Sequence, residues 1–204
     1  MNPRDSNTCG KFMLWIDAVG GYWVCLAERV VLGQPAPGGD GPDVPILADL
    51  SSRHACIRRD GEGHLIEALR PVRVDGRPVQ AVTWLGDGGR IELGEGVQLL
   101  FRRPHPLSAT ARLDFVSPHR TQPSSDGVLL MADVCVLGPK AHSHVVCRNW
   151  SREVMLFRHG EQLYCRTPGR FEIDGLACRD RGRLTWDSRV TGEGFSLKLE
   201  TMRS

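Results

Sequence analysis

Arg58 to Gly76 reads RRDGEGHLIEALRPVRVDG, and Phe157 to Gly175 reads FRHGEQLYCRTPGRFEIDG, aligned without a gap. Short apolar runs alternate with polar residues and break at Asp60-Gly61, His159-Gly160, Asp75-Gly76 and Asp174-Gly175. Such dipeptides supply the positive φ that tight hairpin turns need, so both stretches read as successive antiparallel strands. Two more blocks repeat in the same order. LAERVVLGQ at 26–34 matches MADVCVLGP at 131–139, and RIELGEGVQLLF at 90–101 matches RVTGEGFSLKL at 189–199. The period of about 100 residues is the size of a domain and exceeds solenoid repeats. A tandem duplication of a small β domain is the expectation.

No segment sustains a helical period over three turns. Strands arriving every 8–12 residues indicate a sandwich or barrel. Pro35 to Pro45 (PAPGGDGPDVP) reads as a loop, and Ser117 to Asp126 (SPHRTQPSSD) as a linker. The expected division is 11–116 for the first unit, 117–126 for the linker and 127–204 for the second unit.

The 204 residues are 41% hydrophobic and 25% charged with a formal net charge of +2, which gives no overall field toward nucleic acid or a membrane. No apolar run reaches the ~20 residues that span a bilayer. Phe12 to Ile16 lacks the flanks of a signal peptide. Seven cysteines with no C-x-x-C pattern suit free thiols in a reducing compartment. The chain is expected to be cytoplasmic.

Motifs with chemistry begin at Leu50-Ser51-Ser52-Arg53-His54-Ala55. With Val31-Leu32-Gly33-Gln34 before it, Val74-Asp75-Gly76 after it and Leu85-Gly86-Asp87-Gly88-Gly89-Arg90-Ile91-Glu92-Leu93-Gly94 beyond, the stretch Val30 to Phe101 resembles a forkhead-associated (FHA) domain. That family follows a strand ending in Gly-Arg with S-x-x-H-A, a V-N-G turn and L-x-x-G-D-x-I-x-L-G. The resemblance implies an all-β fold of two tandem antiparallel β-sandwiches (FHA/SMAD-like) with ligand loops at one end. It further implies phosphothreonine binding in Ser/Thr kinase signalling, the partner being a phosphorylated protein or the kinase itself.

A phosphothreonine carries nearly two negative charges and three acceptor oxygens, so a binder needs a directional cation and hydroxyl or amide donors. In the family the Arg of Gly-Arg and the Ser of S-x-x-H hold the phosphate, and an Asn in a nearby loop holds the peptide backbone. Here Ser51 is present and Gln34 stands where the Arg belongs. The Asn-bearing loop has become Leu69-Arg70-Pro71-Val72-Arg73. Arg53, Arg70 and Arg73 are the cations able to compensate. The candidate phosphopeptide set is therefore Gln34, Ser51, Ser52, Arg53, Arg70, Arg73 and Asp75. Ser51 also has a plain reading as a turn residue. His54 reads as a brace, and Gly33 as a point of close backbone approach.

In the second half, Pro139 occupies the Arg position. His144 aligns with His54, which puts Ala141 at the serine position, so no phosphate site is expected there. His142, His144 and Cys147 lack the paired spacing of structural zinc. No G-x-S-x-G, P-loop or H-E-x-x-H occurs. Neither catalysis, a cofactor, a metal, nucleic acid nor a membrane is expected. Two functions stay open at this point: a phosphothreonine-dependent adaptor, and a phosphate-independent scaffold that has kept the sandwich and lost the site. Oligomeric state is not readable.

Overall fold

A computed structural model describes residues 10–37, 41–105 and 107–202. Cys9, Gly38 to Asp40 of the expected loop, Pro106, and Arg203 and Ser204 of the expected second unit lie outside the described residues. The described chain is all-β, with twenty strands and no helix, and so none to cross a membrane. Lys11–Ile16 (β1) and Gly20–Cys25 (β2) come first. Arg29–Gly33 (β3), Val44–Pro45 (β4), Ala55–Asp60 (β5), Gly63–Ala68 (β6), Val72–Val74 (β7), Arg77–Pro78 (β8), Val82–Trp84 (β9), Arg90–Leu93 (β10) and Val97–Arg102 (β11) complete the first half. Ala111–Phe115 (β12) and Gly127–Leu130 (β13) follow. Val134–Gly138 (β14), Val145–Val146 (β15), Val154–His159 (β16), Gln162–Ile173 (β17), Leu176–Leu184 (β18), Arg189–Gly192 (β19) and Phe195–Thr201 (β20) form the second half.

The repeated sequence blocks fold into repeated pairings. Leu32 faces Ala55 as Leu137 faces Val154, and Gly33 faces Pro45 as Gly138 faces Val146. The expected turns are present: Asp75 and Asp174 sit at φ 51° and 52°, followed by Gly76 and Gly175 at 76° and 79°. Two left-handed residues in a row give the turn whose twist matches the flanking strands.

One sheet runs β4-β3-β5-β6-β9. The other, much larger, contains β8-β7-β10-β11-β12-β13 and continues through β2, β1, β20 and β19 to β17, β16, β14 and β15, with β18 paired to β17. It turns the corner of the second sandwich along β17. The start of that strand pairs with β16, and its last three residues pair with β19. The register breaks between Arg166 and Arg170, at Gly169 with φ 89°. In the first half the same place is an interruption, Leu69 to Pro71, between β6 and β7.

The expected boundaries do not describe this sheet. β1, placed in the first unit, pairs with β20 near the end of the chain, whereas β12 pairs with β11 in the first half. β2 and β13 lie side by side in parallel and join the two halves. The segment 117–126 is also not a free tether. Leu47 N–H donates to the Arg120 carbonyl and Gln122 N–H to that of Pro45, while Gly21 N–H donates to the Asp126 carboxylate.

Two cores result, and the central strands serve both. Phe12, Leu14, Ile16, Val24, Leu129 and Met131 face the core of the second half. Met13, Trp23, Cys25, Val128 and Leu130 face that of the first. Strands buried on both faces read as continuous apolar runs rather than alternating ones. That accounts for the unbroken apolar runs FMLWI at 12–16, in which only Trp15 is exposed, and VLLMA at 128–132.

Candidate phosphopeptide-binding loops

The candidate loops sit at one end of the first sandwich, and Gly33 at the end of β3 brings them together. A Cβ on Gly33 would lie 2.2 Å from the Ser52 carbonyl oxygen and 2.5 Å from that of Ser51, so only glycine lets the loop pass this close. Gln34 N–H donates to the Ser51 carbonyl at 3.2 Å, which sets Gln34 beside Ser51. The close approach expected of Gly33 is thus what its surroundings require.

His54, buried at the start of β5, holds three loops in place. Its Nδ1 accepts from Ser51 N–H at 3.4 Å, and its Nε2–H donates to the Pro71 carbonyl at 3.0 Å. Gly94 N–H lies 3.1 Å from Nε2 but also 3.3 Å from the Pro71 oxygen. A protonated Nε2 cannot accept, so the network assigns the Gly94 proton to Pro71 and fixes this tautomer. Leu69 and Arg70 N–H groups both donate to the His54 carbonyl. The brace expected from sequence is present, and Pro71 and Gly94 are the partners that sequence reading missed.

Arg70 is the arginine that reaches the serine. Its Nε donates to Ser51 Oγ at 3.2 Å and its Nη1 to the Leu69 carbonyl at 3.0 Å. A guanidinium has five N–H donors, so three remain for a ligand. Ser51, having accepted from Arg70, keeps its own O–H to donate. Ser51 and Ser52 are half-buried, while Gln34, Arg53 and Arg70 are exposed. Arg53 makes no side-chain hydrogen bond or ion pair among the described residues.

Arg73 and Asp75 stand apart from this group. Arg73 lies on β7 opposite Glu92 and Pro78, with no contact to Ser51. Asp75 has a structural task at the far end of β7, where its carboxylate accepts from Arg90 N–H at 2.9 Å. Asp174 repeats that contact with Arg189 N–H at 2.7 Å. A contact that recurs in both halves holds the turn.

Strand register also corrects the alignment of the second half. His144 precedes β15 as Asp43 precedes β4, and the two do the same work. Val31 N–H donates to Asp43 Oδ2 at 2.8 Å, and Val136 N–H to His144 Nδ1 at 2.9 Å. The position of His54 belongs to Glu153, next to β16, and that of Ser51 to Trp150, buried in the core. Arg152 ties the loops there, through the Pro168 carbonyl at 3.0 Å and Glu193 at 2.7 Å. Burial drives the His144 pKa down to about 4, with His105 and Arg112 adding to the shift, so the ring is neutral near pH 7. Among the described residues no group of three or more His, Cys, Asp or Glu is arranged to hold a metal.

No family model matches this chain, and no curated protein does. Among solved structures, it is 31% identical to an FHA domain from a structural and functional analysis of phosphothreonine-dependent FHA domain interactions. That match covers 48% of this chain and 99% of that one, at a TM-score of 0.34. It is 27% identical to the FHA domain of FhaA, crystallised with the intracellular domain of Rv3910, over 41% of this chain and 91% of that one, at a TM-score of 0.31. The N-terminal FHA domain of EssC, a component of the bacterial Type VII secretion apparatus, matches 94% of this chain and 98% of its own at 11% identity and a TM-score of 0.25. The superpositions are loose, so the assignment rests on identity across one whole domain and on the motif residues Gly33, Ser51, His54 and Gly94 in the places just described. By that identity and those residues, the chain belongs to the forkhead-associated family.

Proposed function

We propose that this protein is a cytoplasmic, non-catalytic adaptor in Ser/Thr kinase signalling. It binds phosphothreonine-containing partners through the loops of its first sandwich. The observation that carries the proposal is the Arg70 Nε to Ser51 Oγ contact of 3.2 Å. It supplies, from the β6–β7 loop, the charge that Gln34 lacks on the β3 end. The phosphate would take the remaining Arg70 donors, the Ser51 hydroxyl and the Gln34 amide, with Arg53 adding field from the same loop as Ser51. The FHA domain that is 31% identical is a subject of phosphothreonine-dependent interactions, which supports the same ligand class. The six described cysteines are all free thiols, which suits a reducing compartment.

The second half, on this proposal, is a diverged copy with no phosphate site. Trp150 stands at the serine position, Pro139 stands at the Gln34 position, and Arg152 is engaged by Pro168 and Glu193. The neutral amide of Gln34 favours one other reading, a phosphate-independent scaffold.

The test is a titration of the full chain with a phosphothreonine peptide library against unphosphorylated controls. A hydrogen bond to a charged partner is worth ~1.5–3 kcal/mol, so Arg70→Ala should weaken binding ~10–100-fold and Gln34→Arg should strengthen it by a similar factor. The Gln34→Arg gain should fall when Ser51→Ala is added, because one phosphate shares both donors. If neither the natural chain nor a folded Gln34→Arg variant discriminates phosphorylated from unphosphorylated peptide, the scaffold reading replaces this one.

A further inference from the structure

The β17–β18 hairpin presents an arginine ladder that nothing in the phosphate site explains. Arg166 on β17 faces Arg181 on β18, Arg170 faces Arg179, and Tyr164 faces Arg183. Directly opposed residues share one face of a sheet. All five arginines are exposed. Among the described residues only Arg179 of these has an ion-pair partner, Asp180 at 3.8 Å, and the other four make no side-chain hydrogen bond or ion pair. Like charges opposed across strands are destabilising. Guarding an edge strand against aggregation needs a charge on that strand alone. It does not need a second arginine across from it, where a glutamate would guard equally well and stabilise the hairpin.

The same strand has a free edge. β18 runs for nine residues and pairs with β17 alone among the described strands. A row of backbone N–H and C=O groups along such an edge can accept one more strand. Arg179, Arg181 and Arg183 alternate along it, so their side chains repeat about every 6.8 Å on one face. A groove of about 540 Å³ between Phe157, Tyr164, Arg181 and Arg183 lies on that face. Phe157 and Tyr164 stack on each other at 5.3 Å and 17°, each turning a ring face to its neighbour. They form an apolar wall beside the cations, with one face of each ring taken up by the other rather than by a base, as single-stranded nucleic acid would use it.

We infer that the β18 edge docks an acidic segment of a partner protein as an added strand, with carboxylates at alternate residues meeting Arg179, Arg181 and Arg183. Backbone pairing along the edge gives affinity, and the alternate arginines select acidic side chains. This surface is independent of the phosphate site and needs no phosphorylation.

The probe is a fluorescein-labelled, unphosphorylated peptide of alternating Glu and Thr, titrated into the full chain and followed by anisotropy. A peptide of the same composition with its glutamates in one block and an oligo-dT 12-mer are the comparisons. The alternating peptide is expected to bind most tightly. Arg181→Glu/Arg183→Glu should weaken it about 100-fold, about tenfold for each lost charged contact. The same variant should raise the melting temperature, because Glu opposite Arg166 replaces a repulsive pair with an attractive one. Arg181→Gln/Arg183→Gln, with neutral side chains, carries the comparison if charge reversal disturbs the hairpin, and should also weaken binding. Failure of the natural chain to bind the alternating peptide overturns the inference. So does equal binding by folded variants, or tighter binding of the oligo-dT.

Discussion

Residues 127–204 expressed alone are expected to stay unfolded, although they contain every strand from β13 to β20. The missing material is β1 and β2. Phe12, Leu14, Ile16 and Val24 are 0%, 0%, 3% and 1% exposed and sit in the core of the second half. Fully burying such a side chain contributes ~1.5–3 kcal/mol, so losing all four removes ~6–12 kcal/mol. A whole domain has only ~5–15 kcal/mol of net stability. The fragment also leaves the β20 edge without the pairings from Phe12–Thr201 to Ile16–Leu197. Because Phe12 faces Thr201, a short Gly/Ser turn after residue 202 followed by residues 10–26 restores the strand in its native antiparallel sense. Met13→Thr and Trp23→Thr keep that hairpin polar on the face no longer covered by the first core. The fused chain should give a cooperative urea transition and a β-type circular dichroism spectrum, and the bare fragment neither. A cooperative transition for 127–204 alone would refute the reasoning, as would a fusion no more folded than the fragment.

Gly33→Ala should lower stability by ~1–3 kcal/mol in urea melts, the usual cost of overpacking, because its Cβ meets backbone oxygens that cannot swing away. The same variant should lose phosphopeptide binding, since the Ser51 loop must lift off β3 to make room. His64 lies buried against Phe101 with both ring nitrogens unpartnered, and burial, aided by the charges of Arg59 and Arg103, drives its pKa down to about 4. The folded value is below the ordinary 6.5, so as pH falls from about 6.5 to about 4 the unfolded chain takes up a proton that the folded chain refuses, and stability is lost. His64→Leu should therefore be the more stable protein at pH 7, with its advantage growing by about 3 kcal/mol on going to pH 4. Denaturant melts of both proteins across that range measure it, and a constant difference would show that His64 does not titrate as described.

The local elements were legible because their causes are local. Asp75-Gly76 and Asp174-Gly175 specify their turns through backbone conformation, and alternation along Val97 to Phe101 and Phe195 to Leu199 marks half-buried strands. Ser51, His54 and Gly33 could be read because the family pattern fixes their spacing. Partners across the sheet were not legible. Nothing within KFMLWI says whether β1 pairs with β11 or with β20, since both edges offer the same backbone groups. The unbroken apolar runs at 12–16 and 128–132 did carry a signal, that of strands covered on both faces. The second half was misaligned at His144 because loop lengths differ between the copies. The Leu32–Val44 and Leu137–Val145 pairings decide the equivalence, and they are contacts across the sheet rather than spacings along the chain. The direction of Arg70 is a side-chain property that spacing does not encode.

The β1–β2 hairpin ties the folding of each half to the other. Met13, Trp23 and Cys25 belong to the first core, yet they lie on strands whose other face is held by the second core and whose outer edge is β20. Removing the second half leaves Phe12, Leu14, Ile16 and Val24 bare to water on the opposite face of those strands, and the first sandwich loses its support along β2 and β13. The first half therefore depends on the β framework of the second for its own folding. Trp150, at the position equivalent to Ser51, fills core volume in the second half. The β17–β18 hairpin is separated from β1 by β19 and β20, and its inward residues Leu163, Phe171, Ile173 and Leu184 belong to the second core while its arginines face out. The arginines opposed there cost stability, and burial of β1 and β2 against the second core offsets that cost.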